Sequence, residues 1–99
     1  MYEIVVHESA EEESNAAAVF YESRETDLGK EFLEELSQGF HRITENPLSY
    51  SIHFDEYRRY LMGRFPYGVV YRIEGQQILV FAVAHLRRRP RYWKDRMRF

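Results

Sequence analysis

Five apolar residues, Leu28, Phe32, Leu36, Phe40 and Ile43, recur at spacings of four, four, four and three. Only an α-helix brings positions at that spacing onto one face. Lys30, Glu31, Glu34 and Glu35 fall on the polar side of the same helix. It ends before Pro47, because a proline pushes the residue ahead of it, Asn46, out of the α region. A helix with one apolar stripe cannot bury that stripe alone, so the rest of the chain must supply a layer for it to lie on.

The residues upstream supply a second helix. Ser9-Ala10-Glu11-Glu12 has the form of a capping box, and Glu11, Glu12 and Glu13 then sit in a first turn where the helix dipole favours negative charge. Ala10, Ala17, Phe20 and Arg24 share a face, flanked by Ala16 and Tyr21. The pattern restarts around Glu25-Thr26-Asp27. So short a connection requires the two helices to lie antiparallel as a hairpin. The layer beneath them is β. Ile4-Val5-Val6 is a β-branched run before the first helix. Leu48 to Asp55 has no period and reads as a loop. Tyr57 to Met62, Tyr67 to Ile73 and Gln77 to Leu86 then read as strands, the last two joined by a turn at Glu74-Gly75-Gln76. Pro90 can start a short helical turn, with Trp93 and Met97 anchoring it. The expected fold class is therefore α+β: an N-terminal strand, an antiparallel helical hairpin, a three-stranded antiparallel meander and a short C-terminal turn. It forms a single domain over residues 1–99.

Composition narrows the function classes. Hydrophobic residues make up 44% of the 99 residues, enough for one modest core, which argues against disorder. There is no cysteine, so no disulfide and no cysteine zinc site can form, which fits a reducing cytoplasm. His7, His41, His53 and His85 have no metal-ligand spacing, and no metal or cofactor is expected. No apolar run approaches the roughly 20 residues that span a bilayer, and the N-terminus lacks the pattern of a secretory signal, so no membrane partner is expected. The net charge of −2 hides a split. Residues 1–50 carry 12 acidic against 3 basic side chains, a sum of −9, and residues 51–99 carry 4 against 11, a sum of +7. Either the second half presents a basic working surface, or the two halves neutralise each other across one domain.

Arg58-Arg59-Tyr60-Leu61 through Arg64-Phe65-Pro66-Tyr67-Gly68-Val69-Val70-Tyr71-Arg72-Ile73 resembles the RelE/ParE superfamily of bacterial toxins. So does Val83-Ala84-His85 followed by Arg88-Arg89-Pro90-Arg91-Tyr92-Trp93 and Arg96, and the order of elements is similar too. The resemblance covers most of the chain and is concentrated in residues 58–96. It implies the toxin of a type II toxin–antitoxin module, held inactive by a cognate antitoxin. The target it implies is DNA gyrase, poisoned by binding as in the ParE-like branch, or the ribosome and its mRNA, cleaved as in the RelE-like branch. A relative that has lost toxicity is a third reading. The chain has only two lysines, Lys30 and Lys94, and so departs from the lysine-rich nucleases of the RelE-like branch. That favours the gyrase-directed branch.

Metal-free RNA cleavage needs a base for the 2′-hydroxyl, a cation at the phosphate and an acid for the leaving oxygen. Arg64, His85 and Tyr92 are the candidates, with Glu56 as a possible neighbour of His85. His85 shares alternation parity with Leu79, Phe81 and Val83, and serves either as a proton-transfer group or as a strand cap. Arg64 falls in an inter-strand turn, as a site residue or as half of a surface ion pair. Arg58 and Arg59 point to opposite faces of their strand. Phe65, Tyr67 and Tyr71 read as packing rather than base-stacking platforms. Arg58, Arg59, Arg87, Arg88, Arg89, Arg91 and Arg96 are the candidate residues for binding target or partner. They meet phosphates or acidic side chains, or they form a solvated tail that offsets the acidic helices.

Overall fold

The computed structural model describes residues 1–99. In chain order the elements are β1 (Glu3–Val6), α1 (Glu8–Arg24), α2 (Leu28–Glu45), β2 (Ile52–Phe54), β3 (Tyr57–Leu61), β4 (Tyr67–Glu74) and β5 (Gln77–His85). The strands form one sheet in the order β1-β5-β4-β3-β2. Neighbours are antiparallel except β1, which pairs parallel to β5 from Glu3↔Gln77 to Val6↔Val80. The fold is thus α+β, with a strand, a helical hairpin and an antiparallel meander as expected.

The α2 stripe packs on one face of the sheet. Phe32, Leu36 and Ile43 are buried among Tyr60, Met62, Phe65, Val69, Tyr71, Ile78, Val80 and Val83. Phe32 meets the rings of Phe65 and Tyr67 edge-on at 5.1 and 5.2 Å, an arrangement that adds to the gain from burial alone. Gly29 sits where α2 crosses α1, and a Cβ there would collide with the carbonyl oxygen of Ala18. The Glu22 carboxylate accepts from the amides of Asp27 (2.9 Å) and Gly29 (3.0 Å), so α1 caps the start of its partner.

Several local expectations change. The cap of α1 is His7, not Ser9: the His7 amide donates to the Val80 carbonyl at 2.9 Å, while its Nδ1 accepts from the Ser9 amide at 3.0 Å. The chain steps from sheet to helix without a spacer, which carries Ser9 into the helix. The buried face of α1 is Ala10, Ser14 and Ala17, with Tyr21 at its end, and Phe20 is 48% exposed. The stripe follows 10-14-17-21, one position off the reading through Phe20. The region read as a loop holds β2, which gives the meander a fourth strand. Finally, Val70 pairs with Ala82 but Tyr71 pairs with Val80, so Phe81 is an extra residue in β5. Phe81 and Ala82 consequently both pack on the sheet face away from the helices. Beyond this bulge His85 shares a face with Val83 and no longer with Leu79 and Phe81.

That second face has no helix. Residues 86–99 fold back across it through turns closed by Tyr92 N–H to Arg89 O, Lys94 N–H to Arg91 O and Arg96 N–H to Trp93 O. Trp93 is buried against Val70, Leu79, Phe81 and Ala82. Met97 is 78% exposed, so Trp93 anchors the tail without it.

Candidate functional site

Beyond Val80 no strand covers the outer edge of β5, because β1 has ended. Side chains take over its backbone groups. The Val83 amide donates to Glu13 Oε1 at 3.1 Å, and Arg96 Nη1 donates to the Phe81 carbonyl at 2.9 Å. Glu13 also accepts from Arg96 Nη1 and Nη2, at 3.0 and 2.9 Å, and from the Tyr92 hydroxyl at 2.6 Å. The Arg96 and Glu13 side chains are only 18% and 15% exposed. This ion pair therefore ties tail, helix and sheet edge together in a place where leaving one partner alone is costly. Burial, and then the bond to Glu13, hold the Tyr92 proton well above the ordinary tyrosine range.

The other candidate residues separate into groups. Arg58 Nη1 donates to the carbonyls of Tyr50 at 2.7 Å and Leu48 at 3.3 Å, pinning the segment that leads into β2. Arg64 lies in the β3–β4 turn against α2. Its guanidinium is 2.7 Å from Glu31, and its amide and that of Gly63 donate to Glu35. The Glu31 contact holds the Arg64 proton more tightly still. Glu56 lies 3.9 Å from Arg72 and forms no pair with His85. His85 ends β5 opposite Tyr67, whose ring meets it edge-on at 5.1 Å, and its Nδ1 accepts from the Arg87 amide at 3.1 Å.

Arg59, Arg88, Arg89 and Arg91 converge on the tail face. With His53, the edge of Tyr92 and the end of β5 at His85, whose ring turns toward Tyr67, they line a cleft of about 70 Å³ floored by Val70, Ala84 and Trp93. Gly68 makes room for Arg59: a Cβ there would fall 2.9 Å from Arg59 Cδ. The guanidinium of Arg88 lies 3.9 Å from the Tyr92 ring centre, and that of Arg91 lies 4.3 Å from Phe54. None of these four arginines has an ion-pair partner, since the ion pairs of the molecule use Arg64, Arg72 and Arg96. Burial, and then the charges of Arg59 and Arg91, lower the His53 pKa. Arg87 projects into solvent beside the cleft. Arg59 thus leaves Arg58 for the opposite face, as strand alternation requires, and the binding candidates divide between an open cationic cleft and internal braces.

A different surface lies on the solvent side of the hairpin. Ala18, Val19 and Leu33 line an open groove of about 540 Å³, rimmed by Glu22, Lys30 and Glu34. Val19 is 70% and Leu33 41% exposed.

Glu13 and His53 were not singled out from the sequence. Glu13 sits at the border of the buried 10-14-17 face, and that position separates it from Glu11 and Glu12, which point to solvent. His53 carried no signal, because its neighbours come from β3 and the tail.

No curated protein matches the chain. A solved chain described as the chromosomal ParDE TA system from P. aeruginosa is similar in fold, with a TM-score of 0.63 at 12% identity over 86% of this chain and 96% of that one. Residues 4–90 match the family model of the ParE toxin of the type II toxin–antitoxin system, parDE. With most of its length inside that match, the chain belongs to the ParE toxin family of type II toxin–antitoxin systems.

Proposed function

We propose that this ParE-family toxin acts by binding DNA gyrase through its tail face and is neutralised by a cognate antitoxin. The carrying observation is the group of four arginines without acidic partners around one cleft. Exposed arginine beside aromatic rings suits a protein interface, where energy comes from several anchors rather than one reacting group. The acid–base candidates support the same reading. Tyr92 is held protonated against Glu13, and Arg64 is engaged by Glu31, so neither is a free group poised beside His85.

For the antitoxin, the apolar hairpin groove offers a seat to the apolar side of an amphipathic segment. The basic second half then draws in the acidic part of that segment. Binding of the cognate antitoxin should weaken as salt rises, and equal affinity at low and high salt would remove the electrostatic part of this reading.

A ribosome-dependent mRNA endonuclease is the second reading, favoured by one observation: His85 and Tyr92 both border the basic cleft. Growth arrest, a gyrase supercoiling assay and primer extension on translated mRNA separate the two. His85→Gln should leave gyrase inhibition nearly intact, and replacing Arg88 and Arg89 together by Ala should weaken it. A folded His85→Gln protein that has lost mRNA cleavage, with wild type cleaving mRNA and sparing gyrase, overturns the gyrase reading. Loss of a proton-transfer group costs about 10²–10⁴-fold in rate.

A further inference from the structure

The split of charge along the chain is not cancelled inside one molecule. Arg64–Glu31 and Arg96–Glu13 alone join the acidic half to the basic half by ion pairs, while Arg72 pairs with Glu56 and Glu74 inside the second. What is left over gathers on opposite layers. On the helix layer, Glu8, Glu11, Glu12, Asn15 and Val19 share one exposed face of α1, acidic at its start and apolar at its end. On the tail layer, the cleft with Arg59, Arg88, Arg89 and Arg91 adjoins a second hollow of about 260 Å³, and the two share Arg59 and His53. Ile52 and Leu61 line that hollow and are 59% and 53% exposed. The tail face is thus cationic at one end and apolar at the other, and the α1 stripe carries the complement of both. We propose that a second copy of this chain docks on the tail face. Its α1 stripe lies across that face with Glu11 and Glu12 toward the arginines and Val19 toward Ile52 and Leu61.

The two-part character of the surface favours this occupant. An anion without apolar surface would leave Ile52 and Leu61 in water, whereas the helix covers them as it meets the arginines. Glu12 and Val19 stand two turns apart, about 10 Å along the helix, so one rigid rod can serve two adjoining hollows. Arg88 and Arg91 are already laid against Tyr92 and Phe54, and holding them in place costs little further entropy on binding. The net charge of −2 sets up little overall repulsion between copies. The stripe and the cleft lie on opposite sides of the sheet, so the contact is head-to-tail. Such a contact does not close on itself as a pair, and each copy can add another. Every cleft inside the resulting chain is covered by a neighbour's helix, and the contact needs neither gyrase nor antitoxin.

Sedimentation of the full chain, by itself and at low salt, tests this. Its average mass should climb past that of a dimer as concentration rises and return to that of a monomer in high salt. Glu11→Lys with Glu12→Lys should be monomeric, and so should Arg88→Glu with Arg89→Glu. Mixed together, the two variants should assemble again, because each helix stripe then finds a cleft of opposite charge. Glu3→Lys with Glu25→Lys makes the same change of net charge away from the stripe and should assemble like wild type. Val19→Ser should weaken assembly by about fivefold and leave its salt dependence unchanged. Helical circular dichroism and the fluorescence of Trp93, the single tryptophan, check that each variant is folded. The proposal is overturned if wild type stays monomeric at low salt, if its growth stops at a dimer, or if Glu11→Lys with Glu12→Lys assembles like wild type. It is also overturned if the folded, charge-reversed variants stay apart when mixed, if Glu3→Lys with Glu25→Lys is equally disruptive, or if Val19→Ser has no effect.

Discussion

The two faces of this sheet are held by different physics. On the helix face, two amphipathic stripes interlock with the sheet in a continuous apolar core, in which Phe32, Ile43, Val69, Tyr71, Ile78 and Val80 are fully buried. On the tail face, Trp93 is the large apolar plug, and around it arginines lie on rings and Glu13 gathers the loose ends. The first arrangement is stabilised mainly by area removed from water and tolerates little change of volume or charge. The second relies on directional polar contacts and leaves the arginines that line the cleft without acidic partners. The face that is cheaper to disturb is the one that presents the candidate site.

Substitutions can break that contrast. Leu36→Asp places an unpaired charge in the helix-side core and should destabilise by about 4 kcal/mol, seen as a large fall in melting temperature. An unchanged melting temperature would contradict the assigned face. Trp93→Ala should cost about 3 kcal/mol. Its signature should differ, with loss of tail order and of cleft binding ahead of any loss of helical circular dichroism. Glu13→Gln should cost about 2 kcal/mol, because the Arg96 guanidinium stays buried without its counter-charge. Tail amides should then exchange faster while the α2 amides stay protected. Equal acceleration in both regions would mean that the two faces unfold as one unit.

Titration sharpens the comparison further. Burial pushes the Tyr71 hydroxyl on the helix face up to about 12, and Tyr92 on the tail face is raised as well. A raised folded-state pKa means that the stabilisation is complete below the unfolded tyrosine value and is lost as pH rises past it. Stability should therefore decline from about pH 10 upward, by about 1.4 kcal/mol per pH unit for each such group. Tyr71→Phe and Tyr92→Phe should each blunt the decline, and an alkaline limb unaltered in both variants would refute the assignment. The smallest effect belongs to His53. Its pKa is lowered, so its contribution is present above the ordinary histidine value and lost as pH falls below it. A slight weakening of the tail in mild acid, absent in His53→Gln, is the expected result.

The helix face was legible in the sequence because its signal is periodic and local. Leu28 through Ile43 repeat within a single element, and Pro47 marks where it stops. What escaped depended on partners distant in the chain. Phe20 fits the helical period as well as Tyr21 does, and only the position of the sheet decides between them. β2 pairs with β3 across a register shift and through few residues, too little to leave an alternation. The bulge at Phe81 is invisible in a run that is apolar throughout, yet it sets the side of the sheet on which His85 emerges. The arginines were legible as a cluster. Their sorting into Arg58 and Arg96 as internal braces, and Arg59, Arg88, Arg89 and Arg91 around the cleft, was not, since Glu13 stands 83 residues from Arg96.

That separation has a consequence for the order in which the molecule can be made. A chain emerges from the ribosome with its N-terminus first. β1 finds its neighbour only when β5 has appeared, and the Phe81 carbonyl on the uncovered edge of β5 is capped only when Arg96 has followed. The helical hairpin can associate early through local contacts, but the loop that must close to seat β1 is nearly the whole chain. Until then α1 and α2 carry their apolar stripes uncovered and the acidic half of the protein stands without the basic half. Residues 86–96 complete both the sheet edge and the cationic cleft, so a chain that has not yet reached them lacks the surface through which the protein is proposed to act.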